Sequence, residues 1–334
     1  MIALRFVQRR ISPQRIVFRL RVEECLALVF LLPTTYLTLV AYAYVQREEL
    51  LGARLPGGVI RLVVAASLLL LLAAALRLWP RSRFVRSLRE VLPFLTCVLI
   101  YTNLHDTIGF VNSNDIHDIL VAIDQRLFGA QPCIWAERFI SPTLTEVMTF
   151  FYGNFIWIAP FVPAVLLLKR RGAQFRESML GIVICFYIGY FLYVIFPAAP
   201  PRLYLAHAFT TSLRGHPNML YHASERTLEL LPADSRAAFP SLHAAVSLLA
   251  LIYAWRYLRR LFWFLLPLVL GLWVSTIYLR HHYVIDLLAG WMLVPIAIWA
   301  TPRLERFWTS RQRAYGVTPA EWTFNRPEPS EAAH

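Results

Sequence analysis

Long apolar runs alternate along this chain with short, arginine-bearing connections. Uncharged or nearly uncharged stretches occur at 26–45, 59–79, 91–111, 144–168, 177–196, 240–255, 261–279 and 283–301. All but the shorter 240–255 run reach about the 18–20 residues that a helix needs to cross a hydrocarbon core of about 30 Å. Lipid offers the backbone no hydrogen-bond partner, so each run must pair its own N–H and C=O groups as a helix. The expected fold class is therefore all-α: a polytopic membrane helical bundle of about eight transmembrane helices. The first run follows arginines and contains "AYA" at 41–43. It is longer than a signal-peptide core and is followed by further runs, so it is read as a retained span.

The polar connections set the organisation. Residues 1–25 mix arginines with Ile, Phe, Val and Leu around Ser12-Pro13, which suits an amphipathic leader at a lipid surface or a solvated one. Residues 26–139 hold the first three spans and most of an outside segment, 112–143, with weak helical periodicity around "IHDILVAIDQRLFG". Residues 140–301 hold the remaining five spans. Residues 302–334 are polar and contain proline, and are expected to form a loosely ordered cytoplasmic tail. The connection 197–239 is long, and long loops in compact proteins tend to carry function or to be disordered.

Composition narrows the class. The chain is 58% hydrophobic and 16% charged, with a mean hydropathy of +0.52, values of a membrane protein. A net charge of +13 raises nucleic acid as a partner, but the basic residues are not gathered into one patch with interleaved aromatics. Most of the 33 instead fall at alternate connections, and the positive-inside rule then places both termini in the cytoplasm. On that topology the 197–239 loop, the start of the sixth run and the turn between the seventh and eighth all face the extracytoplasmic side. All but one of the basic residues are arginine, Lys169 being the exception, a bias that suggests a GC-rich bacterial genome and hence a plasma membrane. Cys25, Cys97, Cys133 and Cys185 show no paired spacing, so neither a disulfide framework nor a zinc knuckle is expected.

The candidate chemistry lies at that shared side. In "YLRHHYVIDLLAG" (278–290), Asp286 follows His282 by four positions, one helical turn. A carboxylate there can accept from the imidazole Nδ1–H and leave Nε2 as a free lone pair. His243 follows Pro240-Ser241 at a helix start, where unpaired backbone N–H groups favour phosphate and an imidazole can serve as general acid or base. Arg202, after Pro200-Pro201, and Arg280 offer planar forks for phosphate oxygens. The same histidines and aspartate could ligate a metal, but the neighbouring arginines would repel the cation, so no metal and no cofactor are expected. His105, His117, His207, His216, His222 and His281 are read as interfacial or structural.

Three motifs in order, "VIFPAAPPRLY", "AAFPSLHAA" and "WVSTIYLRHHYVIDLLAG", resemble the signatures of the type-2 phosphatidate phosphatase superfamily, which also includes the vanadium haloperoxidases. Within it they are most similar to the inositol phosphorylceramide synthases. The resemblance covers roughly 140–300 and implies a phosphatidate-phosphatase-like helical core without metal. It implies His282 as nucleophile, Asp286 as its orienting partner, His243 as the acid that protonates the leaving oxygen, and Ser241 as a phosphate contact. The chain departs from the superfamily pattern at Ile195 (lysine), Thr276 (arginine) and Leu242 (glycine), and from the synthase subgroup at Arg202 (tryptophan) and Arg280 (threonine). Arg202, Arg280 and Arg236 are expected to supply the missing phosphate clamp. The function so implied is a lipid phosphotransferase with a phosphohistidine intermediate, acting on a membrane lipid with a phosphate head group. Its acceptor would be an alcohol such as an inositol-containing or ceramide-type lipid. A lipid phosphate phosphatase using water is the alternative. A non-enzymatic anion transporter and a vanadate-dependent oxidase are weaker ones.

Overall fold

A computed structural model describes residues 14, 17–47, 55–79, 82–229 and 236–317. Its long helices are α1 (Val22–Arg47), α2 (Leu55–Leu78), α3 (Arg83–Val111), α4 (His117–Phe128), α5 (Pro142–Gly153), α6 (Phe155–Leu168), α7 (Gly172–Ile195), α8 (Leu220–Glu229), α9 (Leu242–Tyr257), α10 (Arg259–Tyr278) and α11 (Val284–Ala314). The only strand-like pairing among the described residues is an isolated parallel bridge between Ala198 and Ala237, so the fold is all-α.

Among the described residues, five segments are long and apolar enough to cross a membrane: Val22–Ala41, Pro142–Leu168, Gly172–Ile195, Arg259–Tyr278 and Val284–Ala314. The other three expected runs are also helical, as α2, α3 and α9. At 16 residues, α9 is about 24 Å long at 1.5 Å per residue, short of a full crossing. The run expected at 144–168 divides at Asn154, whose backbone and side-chain N–H groups both turn back to the Phe150 carbonyl.

Helix α7 runs through the middle of the bundle. Its buried residues, among them Leu180, Ile182, Val183 and Cys185, pack with those of α6, α9, α10 and α11 into one large core. Among the buried tyrosines, Tyr190 keeps its hydroxyl paired by donating to the Cys97 carbonyl at 2.9 Å. The polar ends of this bundle differ. At one end, Arg21 pairs with Glu90 at 2.7 Å, Arg89 with Glu24 at 2.6 Å, and Arg176 with both Glu23 and Glu305. The opposite ends of α7 and α11 carry the 197–202 turn and the 280–286 turn, where the candidate histidines lie.

One expectation for the C-terminal segment is corrected. Residues beyond 301 do not become loose at once, because α11 continues through Pro302 to Ala314. Its extension packs on the leader: Trp308 donates to the Leu20 carbonyl at 2.9 Å and Gln312 to the Phe18 carbonyl at 3.0 Å. These bonds tie two segments that are far apart in sequence. The rest of both segments, 1–13, 15–16 and 318–334, lies outside the described residues.

The start of α9 is gripped from two sides. A Cβ on Gly189 of α7 would overlap the Leu242 side chain, and one on Gly290 of α11 would overlap the backbone carbonyl of Ser241. Absence of a side chain at 290 thus lets α11 approach the residue that opens α9. Gly290→Val is expected to lower stability in detergent by about 1–3 kcal/mol, the usual cost of forcing extra carbons into a packed contact. Thermal unfolding followed by size-exclusion chromatography would check it.

Candidate active site

His282 stands in the turn between α10 and α11, with Asp286 in the first turn of α11. The helix begins two residues after His282, so the pair does not sit on one continuous helical face as the spacing suggests. The Asp286 carboxylate instead folds back: Oδ2 contacts His282 Nδ1 at 3.2 Å and accepts from the Tyr283 N–H at 2.9 Å. Asp286 is wholly buried and its Oδ1 has no partner. That arrangement fixes the imidazole through Nδ1 and directs Nε2 away from the carboxylate.

Nε2 of His282 meets Nδ1 of His243 at 3.0 Å. Residues 39 positions apart are joined because α9 and α11 start side by side, Ser241 N–H donating to the Asp286 carbonyl at 2.9 Å. The Ser241 hydroxyl caps α9 by accepting from Ala244 N–H at 3.3 Å, and the Phe239-Pro240 bond before it is cis. His243 packs against Phe155, with ring centroids 4.3 Å apart. Burial, opposed only by a backbone hydrogen bond to Ala238 and reinforced by Arg202, pulls the pKa of His282 down to about 4. A neutral imidazole keeps the lone pair that nucleophilic attack needs.

Arg202 opens a one-turn helix, Pro201–Tyr204, and its N–H donates to the Arg280 carbonyl at 2.9 Å. Its guanidinium has no carboxylate partner among the described residues, and its Nε is buried without a partner. The pKa of Arg202 is lowered by burial, and the groups that oppose this are Tyr152 and Tyr101. A half-buried cation among tyrosines and imidazoles, with no carboxylate partner among the described residues, is suited in electrostatic terms to an anion.

Two other arginines expected in the clamp are engaged elsewhere. Arg280, at φ +64°, bonds Glu137 at 2.9 Å and the Thr211 carbonyl, and lies over the Phe209 ring at 3.8 Å. Arg236 pairs with Asp115. Sequence spacing brought these cations near the motifs but could not show the carboxylates that hold them, since Glu137 and Asp115 belong to no motif.

The structure also adds groups that spacing did not single out. His281, read as structural, is buried and stacked on Tyr152 with centroids 4.2 Å apart and an interplanar angle of 17°. Tyr152 lies between it and His243, whose ring centroid is 5.0 Å away. His216 contacts Thr143, His222 lies near Glu225 and His117 packs on Tyr204, all outside this cluster, and the side chain of His105 lies outside the described residues. No group of three or more His, Cys, Asp or Glu residues fit to hold a metal ion occurs among the described residues.

Fold and site together define a membrane-type, all-helical chain whose paired imidazoles, one backed by a buried carboxylate, sit beside an unneutralised arginine. The sequence profile of the PAP2 superfamily matches residues 118–300, more than half of the chain, and the chain belongs to that superfamily. Over 137 residues it is 31% identical to the phosphoinositol dihydroceramide synthase of Bacteroides thetaiotaomicron, covering 36% of this chain and 43% of that protein. Over 158 residues it is 32% identical to the catalytic subunit of the inositol phosphorylceramide synthase of Saccharomyces cerevisiae, covering 42% of this chain and 38% of the relative. The inositol phosphorylceramide synthase of Candida albicans is 30% identical over 159 residues, 42% of this chain and 32% of its own length. The chain thus spans less than half the length of each of these relatives. No solved structure matches it.

Proposed function

We propose that this protein is a lipid phosphotransferase that works through a phosphoramidate on His282. The contact between His243 and His282, beside an arginine with no carboxylate partner, carries the reading. A phosphate ester entering between the two rings would meet Nε2 of His282 on one side and a proton donor on the other. His282 Nε2 forms a bond to phosphorus, the bond from phosphorus to the lipid oxygen breaks, and His243 gives that oxygen its proton. In the second step His243 takes the proton of an incoming hydroxyl, that oxygen bonds phosphorus, and the P–N bond breaks. Asp286 holds the His282 ring and balances the positive charge it gains. The donor is a phospholipid of the phosphoinositide class and the acceptor a ceramide-type alcohol, a choice supported by the names of the three relatives. With both termini cytoplasmic, as the arginine distribution supports, the site faces the extracytoplasmic side of the membrane.

Purified protein in mixed micelles tests this reading when given a phosphoinositide labelled in its head group, with and without a ceramide-type alcohol. Transfer of label to the alcohol is expected. Release of the labelled phosphate into water at the same rate without the alcohol would instead make the protein a lipid phosphatase, and no turnover of any phospholipid would overturn the assignment. In the same assay Arg202→Gln is expected to lower kcat/KM by about 10²–10³-fold, the usual loss when one charge-stabilising donor is removed from a phosphoryl or oxyanion site. Arg202→Lys should recover only part of this, because a point charge cannot reproduce a two-pronged contact.

A further inference from the structure

The nucleophile turn is short, carries a non-glycine residue at positive φ, and is tied at both ends to a surface segment that contributes nothing to the imidazole pair. At its start, Arg280 sits at φ +64°, a region that residues other than glycine occupy only when their surroundings hold them there. Glu137 anchors its side chain. That carboxylate accepts from Arg280 Nη2 at 2.9 Å, from the Thr210 and Thr211 N–H groups at 3.1 and 3.2 Å, and from the Thr210 hydroxyl at 2.9 Å. Burial would raise the pKa of Glu137, but these bonds outweigh it and keep the carboxyl below its usual range.

At the far end of the turn, Asp124 reaches from α4 to the start of α11. Its Oδ2 accepts from Val284 N–H at 2.8 Å and its Oδ1 from Ile285 N–H at 3.0 Å. These are the first helical residues of α11, whose N–H groups have no partner within the helix. The N–H groups of Val284 and Ile285 are taken not by the side chain of Tyr283, the residue before them, but by a carboxylate from another element. A negative charge at a helix N-terminus is further favoured by the helix dipole. Asp124 is 1% exposed, and a carboxylate is buried to that degree at a cost that its two N–H partners must offset.

We propose that Asp124 and Glu137, both on the 117–139 surface segment, are positioning residues that hold the 280–285 turn, and with it His282, in register with His243. The inference rests on the reading of His282 as nucleophile. The face of the segment away from the turn exposes Ile119, Leu127, Phe128, Trp135 and Phe139, a set suited to the lipid interface. The brace therefore runs from the membrane surface to the ring that attacks phosphorus. Neither carboxylate touches the imidazoles, so both act only through the backbone and Arg280.

The test compares Asp124→Ala, Asp124→Asn and Glu137→Gln with the wild type in the lipid-transfer assay, per monodisperse molecule in detergent. Asp124→Ala is expected to lower kcat by about 10²-fold, the scale on which a displacement of about 1 Å at a reacting group acts. KM for the donor should stay within about threefold, because Arg202 is bonded to the Arg280 end of the turn and not to the Val284–Ile285 end that Asp124 holds. Asp124→Asn retains one acceptor oxygen and should recover about tenfold of the loss. Should Asp124→Ala not fold, Asp124→Asn and Glu137→Gln carry the same comparison. Wild-type kcat per folded molecule in these variants, whatever their melting temperature, would overturn the brace and leave the nucleophile assignment standing. Absence of turnover in the wild type would instead remove the reading on which it rests.

Discussion

Asparagine at position 282 is expected to lower lipid turnover by about 10⁴-fold or more, the scale on which a member of a nucleophile–base–carboxylate array acts. The expectation follows from geometry. Asparagine can keep a bond from its amide to Asp286, and so preserve the turn, but it has no lone pair of comparable nucleophilicity to present to phosphorus. Brief incubation of the wild type with labelled donor, followed by quenching in base, should leave label on the protein as an acid-labile adduct. The variant should leave none. The pH dependence carries a second check. Burial holds His282 at about 4, below its ordinary value of 6.5, and only the neutral ring attacks. A depressed pKa moves the loss of activity to lower pH, so kcat/KM should not fall on an acid limb centred at or above 6.5. Such a limb in the wild type would contradict the lowered pKa of a buried, neutral His282.

How much of this was legible in the sequence depends on what each feature needs. Apolar runs announce helices because lipid leaves the backbone no alternative, and the helices stand where those runs are. Histidine 243, histidine 282 and aspartate 286 could be singled out because short motifs carry local spacing, and the topology placed them on one side. Their actual contact is more intimate than spacing implies, since it depends on Gly290 letting α11 reach the Ser241 carbonyl. The arginines divided differently. Arg202 faces Tyr152 and Tyr101 and has no carboxylate partner among the described residues, whereas Arg280 and Arg236 met carboxylates 143 and 121 residues away. No local pattern encodes such a partner. Asp124 was unreadable for the same reason: its role is to accept from two backbone groups, and backbone groups leave no trace in a sequence.

The short α9 also makes sense in this light. A helix of 16 residues is about 24 Å long at 1.5 Å per residue, so it does not by itself cross a hydrocarbon core of about 30 Å. The 236–241 turn leads into it, with Ala198 and Ala237 bridging and Ala198 N–H donating to the Arg236 carbonyl at 3.0 Å. A reacting phosphate at His243 would be partly withdrawn from bulk water, where each fixed charge acts more strongly. The burial of His282, 4% exposed, supports the proposed transfer to an alcohol already dissolved in the membrane over transfer to water.

Glutamine in place of His243 gives the sharpest separation between the two imidazoles. If His243 serves as the acid for the departing oxygen, its loss should cost about 10²–10⁴-fold with a lipid alcohol as leaving group, the range for general acid–base catalysis. The cost should shrink to less than about tenfold when the leaving group is a nitrophenol, which departs as a stable anion and needs no proton. A phosphate drawn between the rings is negative, and an opposite charge at hydrogen-bond distance favours the protonated imidazole, so substrate itself prepares the acid. Packing against Phe155 and Tyr152 on the other faces of the ring leaves the edge toward His282 as its route to phosphorus. His282→Asn cannot be rescued by a better leaving group, because no attack occurs for the leaving group to complete. Equal losses with both leaving groups in His243→Gln would mean that residue 243 only supports the nucleophile, and the proton donor would have to be sought elsewhere, with His281 and Tyr152 the nearest groups able to give one.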